Sequence, residues 1–214
     1  MDVADLFGVL ATWTPYLAGG FVWNIIISAV SMLVGTVLGA GLALMRLSAS
    51  PGLRATAMGV TEVSRNIPTF ICLFYLAFLL PTEIPLGFDI ALPLPAWLKA
   101  ALALSVAVTG YVSDTLASAL QDDRRGLPEG RMLFLPNWMA YFLIIVMASS
   151  TASVIGVSEI VMRANTVIGA TGRNDLMVWI YLYAMLWFVL FCWPLMRVVQ
   201  IAQRRLRRRA KRAD

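Results

Sequence analysis

The sequence predicts an all-α membrane protein with five transmembrane helices, the N-terminus outside and the C-terminus cytoplasmic. Three observations carry this. Of 214 residues, 60% are hydrophobic and 14% charged, where a soluble domain has about 45–50% and about 25%; the mean hydropathy is +0.78. Apolar runs long enough to cross about 30 Å of hydrocarbon recur between short polar connections. The positive charges are one-sided: of the 17 Lys and Arg, 13 fall on the side of the C-terminal tail, and Lys99, Arg163 and Arg173 on the other, which places the tail inside.

The elements follow in order. Asp2, Asp5, Leu6, Val9, Leu10 and Trp13 have the spacing of a short interfacial helix over 2–15. Residues 20–45 form the first span, uncharged, with Gly35 and Gly39 in a G-x-x-x-G that permits close helix contact. A basic turn with Arg46, Pro51, Gly52 and Arg54 leads to a second span over about 56–80. The proline-rich stretch 81–97 is an exposed loop. The third span covers about 97–119, residues 121–131 are a charged loop, and the fourth span covers about 137–162. Residues 163–175 are a polar loop, and the aromatic-rich fifth span covers about 176–198. The chain thus divides into an N-terminal helix (1–15), a membrane domain (16–200) and a basic tail (201–214).

The net charge of +5 is not a nucleic-acid signal. Arg204, Arg205, Arg207, Arg208, Arg209, Lys211 and Arg212 follow an apolar helix, which suits anionic lipid at a cytoplasmic surface. The chain has no histidine and no metal-ligand spacing, so no metal site is expected and the commonest general base is missing. Cys72 and Cys192 lie in apolar runs as small hydrophobes. The acidic start MDVADLFGVL lacks the positive end of a signal peptide. No G-x-x-x-x-G-K-[ST] motif is present.

Without a nucleophile–base pair, the chain is not expected to be an enzyme. The candidates for function are polar groups at membrane depth: Glu62, Arg65, Asp114, the cluster Ser149, Ser150, Thr151 and Ser153, and Glu159. Intramembrane charges are either paired or functional, and both readings stand. Glu62 and Arg65, three residues apart, share one helix face and are the expected structural pair. The hydroxyl cluster either packs closely or lines a wet path.

At these residues the chain resembles the polar amino-acid ABC importer permeases. VTEVSRNIPTFICLFYLAFLLP is similar to their second-helix signature. GYVSDTLASALQ resembles their A-Y-x-x-E-x-x-R-G segment, MASSTASVIGVSEI their K-D-T-S-L-x-S-V-I-G-V-x-E-L segment, and FVWNIIISAVSMLVGTVLGAGLALMRLS their first helix. The ordered set covers most of residues 16–200. The resemblance implies a type I importer permease core in the bacterial inner membrane that forms half of a translocation pathway. It implies as partners a second permease subunit, ATPase subunits that carry ATP and magnesium, and an extracytoplasmic solute-binding protein; no cofactor belongs to this chain. Departures are also visible. SALQDDRRG runs almost directly into LPEGRMLFLP, so about twenty residues of the family pattern are missing where a coupling helix would enter the ATPase. Coupling is then expected from Asp122, Asp123, Arg124, Arg125, Glu129 and Arg131, and a different partner permease, carrying the main docking helix, is favoured. The family Glu and Arg of the third helix are Asp114 and Ala117 here, and its Lys-Asp are Met147 and Ala148. A non-transporting scaffold subunit and a small channel are the alternatives.

Overall fold

The computed structural model describes residues 3–87, 90–127 and 129–210. Seven helices form the body: α1 (Val3–Arg46), α2 (Pro51–Asn66), α3 (Thr69–Leu79), α4 (Ala96–Arg124), α5 (Glu129–Ala148), α6 (Ile160–Thr171) and α7 (Met177–Ala210). A two-stranded antiparallel hairpin, β1 (Glu83–Gly87) and β2 (Ile90–Pro93), stands between α3 and α4. A 3₁₀ helix, Ser149–Ile155, follows α5, and a single 3₁₀ turn, Asn174–Leu176, precedes α7. Four segments have the length and apolarity to cross a membrane: Asp5–Arg46, Ala96–Arg124, Glu129–Ile155 and Asn174–Arg208. Thr69–Leu79 is apolar but shorter.

The central contact is α1 on α4, two parallel helices at close range. Side-chain volume would prevent it. A Cβ on Gly35 would fall 2.6 Å from Val108 Cγ1 and 2.7 Å from the Ser105 carbonyl, and one on Gly39 2.7 Å from the Thr109 carbonyl. The G-x-x-x-G of the first span is therefore a real crossing point. Small residues let backbones approach where lipid gives no hydrophobic drive between helices. Ser31 Oγ, within the same stripe, donates 3.0 Å to the Ala101 carbonyl of α4. Ile27, Met32, Leu104, Val108, Val112 and Ile145 form the core around α4. A second core joins the first half of α1 to α6 and α7 through Leu17, Phe21, Ile160, Val167 and Ile180.

Four expectations are corrected. The helix over 2–15 is not a separate element but the first part of the 44-residue α1, with Pro15 inside it. The second span is not continuous: Ile67 has φ −67° and ψ 123°, because the residue before a proline is pushed out of the α region and Pro68 has no N–H to donate. The fourth span is likewise broken, by the 3₁₀ stretch and by Gly156 at φ +84°. The loop 81–97 contains the hairpin, paired from Glu83↔Pro93 to Gly87↔Ile90.

Between α4 and α5 the chain turns at once. Gly126 has φ +80°, its N–H bonds to the Asp123 carbonyl, and the Leu127 N–H bonds back to the Asp122 carbonyl. This is the six-to-one and five-to-two pair that ends a helix on a left-handed glycine. Among the described residues no further helix stands between α4 and α5.

Candidate functional site: a carboxylate between two arginines

Asp114 lies on α4, ten residues before its end at Arg124, about 15 Å along the helix axis. Its carboxylate is held from two sides. Arg46 Nη1, at the end of α1, donates 3.2 Å to Oδ1, and Arg65 Nη1, at the end of α2, donates 2.7 Å to Oδ2. Glycine makes the second contact possible. Gly110, one turn before Asp114, faces Arg65, and a Cβ there would sit 2.8 Å from Arg65 Cγ and 2.9 Å from its backbone nitrogen. α2 approaches α4 with a small-residue face, burying Ala57, Thr61 and Ser64, and Thr61 Oγ1 lies 2.7 Å from Ser113 Oγ.

Around this triad is a polar cavity of about 420 Å³, lined by Arg46, Met58, Thr61, Glu62, Arg65, Asn66 and Asp114. Glu62 faces it with no salt-bridge partner among the described residues. The expected Glu62–Arg65 pair is thus corrected: Arg65 turns to Asp114 on α4, 49 residues on in the chain, across the helix contact. Two guanidinium groups, one bridged carboxylate and one free carboxylate surround the cavity. Their charges cancel, which suits a solute carrying both signs.

The other candidates gather elsewhere. Glu159 is fully buried and caps α6, accepting from the N–H groups of Val161 and Met162 at 3.1 and 3.0 Å. Asn24 Nδ2 of α1 donates 3.0 Å to Glu159 Oε2 and 2.9 Å to Ser149 Oγ, while Asn24 Oδ1 accepts the Ile160 N–H. Glu159 and Ser149 therefore form a dry knot with Asn24, apart from the Asp114 cavity. The remaining hydroxyls also turn to the backbone: Ser150, Thr151 and Ser153 donate to the carbonyls three residues back, the spacing of a 3₁₀ helix. Ser150 borders a different cavity, about 700 Å³ and almost wholly apolar, between α5, α6 and α7. Removing the Glu159 carboxylate leaves two part-buried N–H groups without their cap and takes one of two acceptors from the buried Asn24 amide; a buried group left unsatisfied costs about 1–3 kcal/mol. Glu159→Ala is expected to lower the thermal unfolding midpoint measurably; an unchanged midpoint would mean that the knot contributes nothing.

At the α4–α5 turn, Asp122 packs against Gly130, and Arg131 Nη1 lies 3.8 Å from Asp123 Oδ1 on an exposed surface. Arg124, Arg125 and Glu129 are exposed. Sequence reasoning missed Arg46, read as part of a basic turn, and Asn24, whose signal was a lone amide in an uncharged apolar span. It also missed Lys99, which is 7% exposed and caps α3 through the Leu80 and Ala77 carbonyls at 2.7 and 3.2 Å.

Broken helices thus surround a charged cavity in an otherwise apolar bundle with four helices long and apolar enough to cross a membrane, the architecture of a membrane protein. The comparisons with known proteins agree. The chain is 26% identical over 221 residues to the L-cystine transport system permease protein TcyB of Bacillus subtilis (strain 168), covering 94% of this chain and 90% of that protein. It is 27% identical over 175 residues to the probable amino-acid ABC transporter permease protein YckA of the same organism, covering 72% of this chain and 74% of that one. The structure superposes on a chain from the crystal structure of an amino acid ABC transporter with histidines at a TM-score of 0.77, with 18% identity over 96% of this chain and 99% of that chain; this likeness shows the fold. No family model matches the chain. Its homologues are thus amino-acid ABC permeases, as the motifs at Val60–Phe70, Gly110–Gln121 and Met147–Ile160 indicated, and the homology supports a permease role in an ABC importer and a membrane location. Both alignments are longer than the stretch of this chain that they cover: 94% of 214 residues is about 201, against 221, and 72% is about 154, against 175. About twenty positions of each relative have no counterpart here.

Proposed function

We propose that this chain is the transmembrane permease subunit of an ABC importer for polar amino acids or related small solutes and forms half of the translocation pathway. The observation that carries the reading is the Asp114 carboxylate between Arg46 and Arg65, beside the free Glu62, in a cavity of about 420 Å³. Five crossings are made by α1, by α2 with α3, by α4, by α5 with the 3₁₀ helix and α6, and by α7. The distribution of Lys and Arg supports an outside N-terminus and a cytoplasmic C-terminus. The Asp114 cavity then lies in the cytoplasmic half of the bundle. ATP hydrolysis belongs to separate ATPase subunits, and solute arrives from an extracytoplasmic binding protein. The abrupt α4–α5 turn favours a heterodimer whose other permease carries the main docking helix, with Asp122–Arg131 as a minor contact; the tail arginines meet anionic lipid.

The test is uptake by the reconstituted partner set in proteoliposomes. ATP-dependent uptake of a radiolabelled polar amino acid is expected, and Glu62→Gln is expected to raise the KM for solutes bearing an ammonium group. The abrupt turn also suits a second reading, a non-transporting scaffold. Assembly of the complex with no ATP-driven uptake of any polar amino acid would favour it, and ATP-independent flux down a gradient would favour a channel.

A further inference from the structure

Lys99 is a buried ammonium whose compensation is incomplete. It sits one turn inside α4 and is 7% exposed, and among the described residues no carboxylate pairs with it. Its partners are the Leu80 and Ala77 carbonyls at the C-terminal end of α3. That capping uses two of three ammonium hydrogens, and a helix C-terminus offers about half a negative charge. Roughly half a positive charge and one N–H remain, in a place where an uncompensated charge is costly. Beside Lys99 is a cavity of about 300 Å³ lined by Ala77, Thr82, Leu94, Ala96 and Ile155 among others. The base of the hairpin walls it, with the Leu94 N–H bonded to the Thr82 carbonyl at 2.7 Å, and the end of the 3₁₀ helix forms the other side. The space exceeds that of several waters at about 30 Å³ each, and so admits a carboxylate group.

We propose that Lys99 and the cavity beneath the β1–β2 hairpin form an anion-accepting subsite that takes a carboxylate. The ammonium supplies the remaining hydrogen and charge, and the hairpin base and Ile155 supply the apolar walls that strengthen the contact. Placing this subsite at the extracytoplasmic mouth, where a solute leaving a binding protein meets it before the Asp114 cavity, rests on the orientation proposed above; the anion site itself does not.

Acetate is the probe. Thermal unfolding of the purified full chain is followed against rising sodium acetate and against sodium chloride at matched ionic strength. Acetate is expected to raise the midpoint saturably beyond chloride, Lys99→Met to abolish the difference, and Lys99→Arg to keep it. Because Lys99→Met also loosens the α3 cap, Ala96→Leu serves as the second variant: it fills the cavity, leaves the ammonium and its two carbonyls in place, and is expected to lose the acetate response. No acetate effect in the unmodified chain, or an effect in Lys99→Met and Ala96→Leu as large as in the unmodified chain, overturns the proposal. Transport separates the source of the carboxylate. A KM raised about tenfold in Lys99→Met with kcat unchanged, the factor expected from one hydrogen bond to a charged group, assigns the site to the solute. An unchanged KM in Lys99→Met, with the acetate response present in the unmodified chain and lost in the variant, assigns it to a free anion. Failure of ATP-driven uptake altogether would remove the permease reading and leave the acetate result standing.

Discussion

Replacing Asp114 by Asn is expected to cut ATP-driven uptake at least tenfold while leaving the helices assembled. Asn keeps the shape and one acceptor oxygen but removes the charge that holds two guanidinium groups. The stability cost is small because the triad is not dry. The side chains of Arg46, Asp114 and Arg65 are 19%, 34% and 54% exposed, and pairs in such surroundings contribute about 0–1 kcal/mol each. The effect on transport is large for a different reason. Asp114 ties the ends of α1 and α2 to α4, and any conformation that parts these three helices at the cavity must release at least one of the two arginines. Only interactions that differ between conformations can shift their balance, and a contact released on parting these helices is one of them. Uptake and thermal unfolding measured on Asp114→Asn, Arg65→Gln and the double variant check this. Non-additive uptake losses at constant midpoint would establish the coupling; a collapsed midpoint would make the triad structural, and normal uptake would remove it from the route.

Gly39→Leu and Gly35→Leu are expected to prevent assembly of the bundle. At Gly39 a Cβ alone falls 2.7 Å from the Thr109 carbonyl and 2.8 Å from Val112 Cβ. Neither atom can step aside without moving α4, since one is backbone and the other is fixed at the root of a branched side chain. Overpacking by a methylene or two typically costs about 1–3 kcal/mol, and an isobutyl group at a backbone crossing exceeds that. The measurement is the yield of monodisperse protein in detergent and its unfolding midpoint, with Gly41→Leu as the control, because nothing lies within 4 Å of a Cβ there. A Gly39→Leu protein as stable as the Gly41→Leu control would refute the crossing.

The fold was legible where a local rule acts alone. Apolar length located α1, α4 and α7, and the glycine spacing located the α1–α4 crossing. The proline at 68 announced a break that the sequence reading passed over, because an apolar run on both sides looked like one span. The 3₁₀ stretch was less accessible: its hydroxyls each bond a carbonyl three residues back, and its first residue, Ser149, is held by Asn24 from a distant part of the chain. In the site, Glu62, Arg65 and Asp114 were all named from their charge in apolar surroundings. Their pairing was not, because Arg65 chooses between a neighbour on its own helix and a carboxylate brought up by Gly110, and that choice is tertiary. Glu159 looked like a pathway residue by the same rule, yet it caps a helix; a buried carboxylate reads identically in one dimension whether it faces water or backbone N–H groups.

One consequence of the 3₁₀ segment concerns length. Seven residues at about 2.0 Å rise span about 14 Å, whereas the same seven at the α rise of 1.5 Å span about 10.5 Å. Rewinding Ser149–Ile155 would shorten the path from α5 to α6 by about 3.5 Å, drawing α6 toward α5 like a piston taking up slack, against the hold of Asn24 on Glu159 and Ile160.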